Sequence, residues 1–139
     1  MILLSSLLIF STTTILADHL PSECDFLKIY ISNQSPYKCI LSNKNNKNGK
    51  IVENKIPKTL MANTEEFFTT QDITGIDLSL TYNCENNIIN FSISRPPVTF
   101  SAQPITINYS NSENTNISYS SYSGSCWWGN RAQLIIQID

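Results

Sequence analysis

Histidine is almost missing from this chain: the only one is His19. A serine or cysteine nucleophile would therefore lack its usual base. A zinc site would lack its commonest nitrogen ligand, and no two cysteines stand in C-x-x-C spacing. No Gly-x-Ser-x-Gly occurs, and four glycines leave no phosphate-cradling loop. Charge is scarce too. Nine Lys and Arg against eleven Asp and Glu make 14% of the residues and a net −2. That balance gives no electrostatic footprint for nucleic acid. Glu65, Glu66, Asp72 and Asp77 are the remaining route to paired-carboxylate catalysis, and ordinary surface carboxylates are the plainer reading. The expectation is a non-enzymatic protein with no cofactor and no metal.

Long apolar runs are also missing. Residues 2–17 are apolar and Ser/Thr-rich without charge, shorter than the roughly 20 residues of a membrane span. They read as a signal peptide covering residues 1–17, cut after Ala17. The reading departs from pattern in two places: no Lys or Arg precedes the run, and Ile15 stands where a small residue is usual. An uncleaved anchor or a core strand is the alternative. Residues 18–139 then form one domain. Cys24, Cys39, Cys84 and Cys126 all follow the cut. An even count in a small exported domain points to two disulfides and to a secreted, extracellular or periplasmic location. Four cysteines allow three connectivities.

What the chain does have is alternation. Ile76, Leu78, Leu80, Tyr82 and Cys84 alternate with polar residues, and so do Ile89, Phe91 and Ile93. Each run has one buried and one wet face. Asn86-Asn87 suits a two-residue turn. It predicts Cys84 opposite Ile89, Tyr82 opposite Phe91 and Leu80 opposite Ile93. Pro96-Pro97 ends this hairpin.

Similar short runs recur at 26–32, 37–41, 51–57, 66–69, 98–100, 105–109, 117–122 and 131–138. Residues 42–50 are rich in Lys and Asn and read as a polar loop. Lys44, Lys47, Lys50, Lys55 and Lys58 make that quarter basic, a patch for anionic lipid or, more plainly, a solvated loop. No helical period is sustained. The fold class is all-β, an antiparallel β-sandwich or partly open barrel preceded by the signal peptide.

The order of motifs carries a resemblance. It runs Ile29-x-Ile31-x-Asn33-x-Ser35, Cys39-Ile-Leu41, Asn48-Gly49, Ile56-Pro57, Phe67/Phe68-x-x-Gln71, Gly75-x-Asp77-x-x-Leu80-x-Tyr82-x-Cys84, Ile89-x-Phe91 and a late Gly-Ser-x-Trp-Trp. This is similar to the small exported β-sandwich proteins of intracellular gammaproteobacteria, which implies the sandwich and export but no specific activity. More distantly it resembles the aegerolysins, sandwich proteins that bind lipid headgroups and in some cases act with a partner in pore formation. The shared features are the early Asn33-x-Ser35, Gly75 before a strand pair, and a proline after the second strand. The chain departs where a tryptophan would precede that proline: here it is Arg95. The resemblance places cysteines at 39 and 84, so it favours Cys39–Cys84, with Cys24–Cys126 left to pair.

Trp127-Trp128 is the feature most suggestive of binding. On a strand, neighbours face opposite ways, so one ring would enter the core and the other stay out. The outer ring with Tyr119, Tyr122, Asn130 and Arg131 would make a platform for a protein, glycan or lipid. Alternatively both rings pack, one in the core and one against the Cys126 bridge. The sequons at Asn33, Asn90, Asn108 and Asn116 match the N-glycosylation pattern, and such matches arise by chance in a chain this rich in Asn and Ser. The leading expectation is a secreted binding module. The alternative is an aegerolysin-like protein that contacts a membrane without spanning it.

Overall fold

Leu27, Ile29 and Ile31 point inward from strand Phe26–Asn33 (β1), and the chain has a second apolar strand, Ala132–Ile138 (β10), of the same pattern. The two lie side by side in a computed structural model that describes residues 23–71, 73–98, 101–113 and 115–139. Between them run Cys39–Asn48 (β2), Lys50–Glu53 (β3), Thr59–Leu60 (β4), Thr64–Gln71 (β5), Ile76–Cys84 (β6), Asn87–Arg95 (β7), Thr106–Asn111 (β8) and Ile117–Tyr122 (β9). They form two five-stranded sheets. The first has the order β3-β5-β1-β10-β9, the second β4-β2-β6-β7-β8. The sheets face each other as an open sandwich.

The core is the inner face of both sheets. Leu27, Ile29, Ile31, Phe68, Leu134, Ile136 and Ile138 come from the first, and Leu60, Leu78, Leu80, Tyr82, Ile89, Phe91 and Ile93 from the second, all buried. Each such side chain contributes about 1.5–3 kcal/mol when fully buried. That outweighs any single polar contact on the wet faces and fixes which side of each strand turns in. The Tyr82 hydroxyl ends this layer by donating to the Pro57 carbonyl oxygen at 2.8 Å.

One pair breaks the antiparallel rule: β1 and β10 run parallel, Leu27 beside Ala132 through Asn33 beside Ile138. They can do so because nearly the whole chain, and both sheets, lies between them. Asn33, fully buried, ties the next corner together. Its amide donates to the carbonyls of Tyr37 at 2.7 Å and Leu60 at 3.1 Å, while its oxygen accepts from the Ser35 hydroxyl at 2.6 Å. The Asn33-x-Ser35 motif is thus a structural corner, and its amide has no room for a glycan.

The hairpin keeps its faces but not its register. Cys84 sits opposite Asn87, Tyr82 opposite Ile89, Leu80 opposite Phe91 and Leu78 opposite Ile93. The turn is Glu85-Asn86, with the positive φ of 56° on Glu85. Asn87 explains the shift. Its buried carboxamide oxygen accepts from Ser112 N at 3.1 Å and Glu113 N at 3.0 Å, and its amide donates to the Thr115 hydroxyl. Committed to the 112–115 segment, Asn87 belongs to the strand. Moving the register by two preserves every inward side chain.

Residues 42–48 also differ from expectation. They extend β2 along β6, Asn43 beside Thr81 to Asn48 beside Asp77, with bulges at Ser42 and Lys47. Beyond its short pairing with β4, this part of β2 is an edge, and residues 42–47 are all exposed. A strand wet on both faces shows no alternation. At Gly49, with φ 110°, the chain crosses to the other sheet; a Cβ there would stand 2.7 Å from the Thr70 hydroxyl oxygen. The expected strand at 98–100 does not form at Val98, which is buried outside any strand; residues 99 and 100 lie outside the described residues. So does the signal-peptide segment. Among the described residues no helix is long and apolar enough to cross a membrane.

Candidate functional site

The turn after β9 is built from its base upward. Gly124 takes φ 81°, where a Cβ would meet the Asn130 carbonyl oxygen at 2.7 Å. Ser125 and Asn130 then exchange backbone hydrogen bonds of 2.9 and 2.8 Å. The four residues Cys126 to Gly129 project as the tip, and the Ser125 hydroxyl accepts from Trp128 N at 3.1 Å.

The base is fastened to the start of β1. Cys126 is bonded to Cys24 in the short 3-10 turn Glu23–Asp25. The Arg131 guanidinium lies 4.4 Å from the centre of the Phe26 ring, Nε donates to Glu23 at 2.6 Å, and Nη1 donates to Glu53 at 3.3 Å. Glu53 also accepts from the Thr69 hydroxyl at 2.8 Å. The hydrogen bond to Glu23, with the charge of both carboxylates, pushes the Arg131 pKa up. Arg131 is therefore an anchor, already engaged by two carboxylates, and not a free cation awaiting a ligand.

Arg95 supports the same end from within. It is 3% exposed, and donates from Nε to the Gln103 carbonyl at 3.3 Å and from Nη2 to the Ser123 carbonyl at 3.0 Å. Burial lowers its pKa, opposed by the nearby Asp25 charge. Where a tryptophan was expected by resemblance, the chain places a buried cation that holds the two connections entering and leaving β8 and β9.

Both tryptophans face water, Trp127 at 88% and Trp128 at 77% exposure. The expectation that one or both rings pack is corrected. Strand alternation does not apply, because the pair occupies the tip of a closed turn. Trp127, Trp128, Asn130 and Arg131 do share that turn, and Tyr122 stands exposed at its root beside Gln133. Tyr119 is elsewhere: it occupies the inner side of β9 and packs edge-on against Tyr109 of β8 at 6.4 Å between ring centres. The five-residue platform is thus a Trp turn plus a separate tyrosine pair. Glu23, Glu53 and Phe26 were absent from the expected site. The adjacency of Glu23 and Phe26 to Cys24 was the available signal, since a Cys24–Cys126 bond carries both to the turn.

Cys39 and Cys84 are bonded across directly opposed positions of β2 and β6, with Cα atoms 4.1 Å apart. Two disulfides match an oxidising compartment. Of the carboxylates, Glu65 and Glu66 belong to β5 and Asp77 to β6, in different sheets, and Asp72 lies outside the described residues. Among the described residues no group of His, Cys, Asp or Glu could hold a metal. The outer face of β6, β7 and β8 carries a shallow depression of about 370 Å³ lined by Ser79, Thr81, Asn90, Ser92, Asn108 and Ser110.

No protein-family model and no curated relative matches the chain. Solved structures share its fold. IP-1A from Alcaligenes faecalis aligns over 86% of this chain and 94% of its own, with TM-score 0.57 and 8% identity. The lipid binding protein Nakanori aligns over 82% of this chain and 70% of its own, with TM-score 0.64 and 9% identity. At such identity the likeness concerns the sandwich itself.

Proposed function

We propose that this is an exported, non-enzymatic binding protein that seats the Trp127-Trp128 turn in a membrane–water interface. The observation that carries the reading is the exposure of both rings on a turn held by a disulfide and an ion-pair cluster. Indole rings favour the headgroup level of a bilayer, where an apolar body and a polar N–H are both accommodated. Full withdrawal of one ring from water would contribute about 4–6 kcal/mol from its area. A pre-formed tip loses little conformational freedom on binding. A lipid-binding protein that shares the fold, and the resemblance to aegerolysins, support the same direction.

Co-sedimentation with phosphatidylcholine vesicles, alone and with phosphatidylserine, tests this. The protein should pellet with vesicles, with a blue shift of Trp emission, and Trp127→Ser/Trp128→Ser should stay in the supernatant. A wild-type protein that never pellets defeats the reading.

A glycan is the second reading, favoured by the depression on the second sheet. Leu80, Phe91 and Tyr109 also border it, but the side chains that point outward there carry hydroxyls and carboxamides, with Thr81 donating to Asn90 at 2.8 Å. Such uncharged donor and acceptor groups match a neutral polyhydroxylated ligand. Loss of oligosaccharide binding in Asn90→Ala/Asn108→Ala, with vesicle binding intact, would separate the two.

A further inference from the structure

The two sides of the sandwich are guarded differently. On one side the edges are β3, β4 and the part of β2 beyond β4, which carries Lys44 and Lys47 and two bulges. β4 has two residues and adjoins Lys58; β3 carries Lys50 and Glu53 and pairs with β5 in a shifted register. Short, charged, irregular edges resist pairing with a foreign sheet.

On the other side the edges are β8 and β9. Each has six residues, pairs with its neighbour without a register shift, and contains no proline and no charge. Between Arg95 and Arg131 the only charged residue is Glu113. Within β8 and β9 themselves no charge, proline or bulge protects the edge.

β9 is the more open of the two, with every residue from Ser118 to Tyr122 exposed. Asp139 N donates to the Asn116 carbonyl at 2.9 Å, so Asn116 faces the β10 side. Alternation then directs the N–H and C=O groups of Ile117, Tyr119 and Ser121 outward. Those groups form a ready ladder.

We propose that the protein pairs with a second copy of itself through β9, antiparallel about a two-fold axis at Tyr119. Tyr119 then faces its own counterpart, Ile117 faces Ser121, and Ser118 faces Ser120. The first sheet of each copy, the one that ends in β9, joins its counterpart in one continuous sheet. No like charges meet, because the strand has none. Small serines occupy the flanking positions, so nothing bulky blocks the approach. The exposed Tyr109–Tyr119 pair of each copy is brought against its counterpart at the centre. Uncharged and self-complementary, the strand has no feature that selects a charged partner, and a two-fold isologous contact is the commonest closure available to it. The pairing requires no lipid and stands apart from the Trp turn.

Sedimentation velocity of the oxidised protein across a concentration series reads this out, together with amide hydrogen exchange. A dimer should appear with concentration, and exchange at Ile117, Tyr119 and Ser121 should slow in step with it. Ser118→Lys/Ser120→Lys places like charges opposite one another and should weaken the dimer about tenfold or more. Ser121→Pro removes one outward N–H while sparing the ladder to β10, and should weaken it as well. Val52→Lys on β3 and Trp127→Ser/Trp128→Ser should leave it intact. A monomer at every concentration overturns the proposal. So does a dimer that survives both β9 variants, or one abolished by the Trp variant.

Discussion

Cys24 and Cys126 lie 102 residues apart in the chain and 4.9 Å apart between Cα atoms. Their bond joins the start of the first strand to the turn that carries both exposed tryptophans. Closing a loop of about this length stabilises by about 4–5 kcal/mol on the chain-entropy model. Cys24→Ala/Cys126→Ala should lose a comparable amount in urea denaturation without reductant. Trp fluorescence anisotropy should fall as the turn loosens, while the Cys39–Cys84 bond persists by mass mapping.

The tryptophans themselves should be nearly silent in stability. Both are exposed, so Trp127→Ser and Trp128→Ser should each change the unfolding free energy by no more than about 0.5 kcal/mol. A larger loss by thermal or chemical denaturation would show that the rings pack.

Tyr82 sets a pH limit. Burial pushes its phenol pKa well above the ordinary value of 10. The unfolded chain releases this proton near pH 10 while the folded chain retains it. The stabilisation is therefore complete below about pH 10 and is lost as pH rises toward the folded value. Tyr82→Phe should flatten the alkaline fall in a denaturant series between pH 9 and 11. It should cost about 1 kcal/mol at neutral pH through the lost bond to Pro57.

Glu85 and Asn87 test the hairpin register. Glu85→Gly relieves a non-glycine residue at φ 56° and should stabilise by about 0.5–1 kcal/mol. Asn87→Ala leaves the Ser112 and Glu113 amides without their acceptor and should cost about 2–3 kcal/mol. Equal, small effects at both positions would point to a turn at Asn86-Asn87 instead.

The faces of β6 and β7 were legible because alternation is a local property, repeated over several residues. The register was not, because the carboxamide of Asn87 answers to residues 112–115. Residues 42–48 looked like a loop for the opposite reason: a strand wet on both faces has no hydrophobic signal to show. The site was legible as a pair of adjacent tryptophans and an arginine. Its geometry was hidden, since a turn closed by Ser125 and Asn130 suspends the strand alternation that would have buried one ring. Tyr119 was grouped with the tryptophans by proximity in sequence, while the sandwich assigns it to Tyr109 across the gap between sheets.

The parallel pairing of β1 with β10 also has a kinetic meaning. The first sheet cannot close its centre until the last strand arrives, so its defining contacts have the longest loops in the chain, and such topologies fold slowly. In the second sheet β6, β7 and β8 follow one another in sequence, and Cys39–Cys84, which ties β2 to β6, closes a much shorter loop. During oxidative folding that bond should form first and Cys24–Cys126 last. The Trp turn would then take its final shape only after the sandwich behind it is complete.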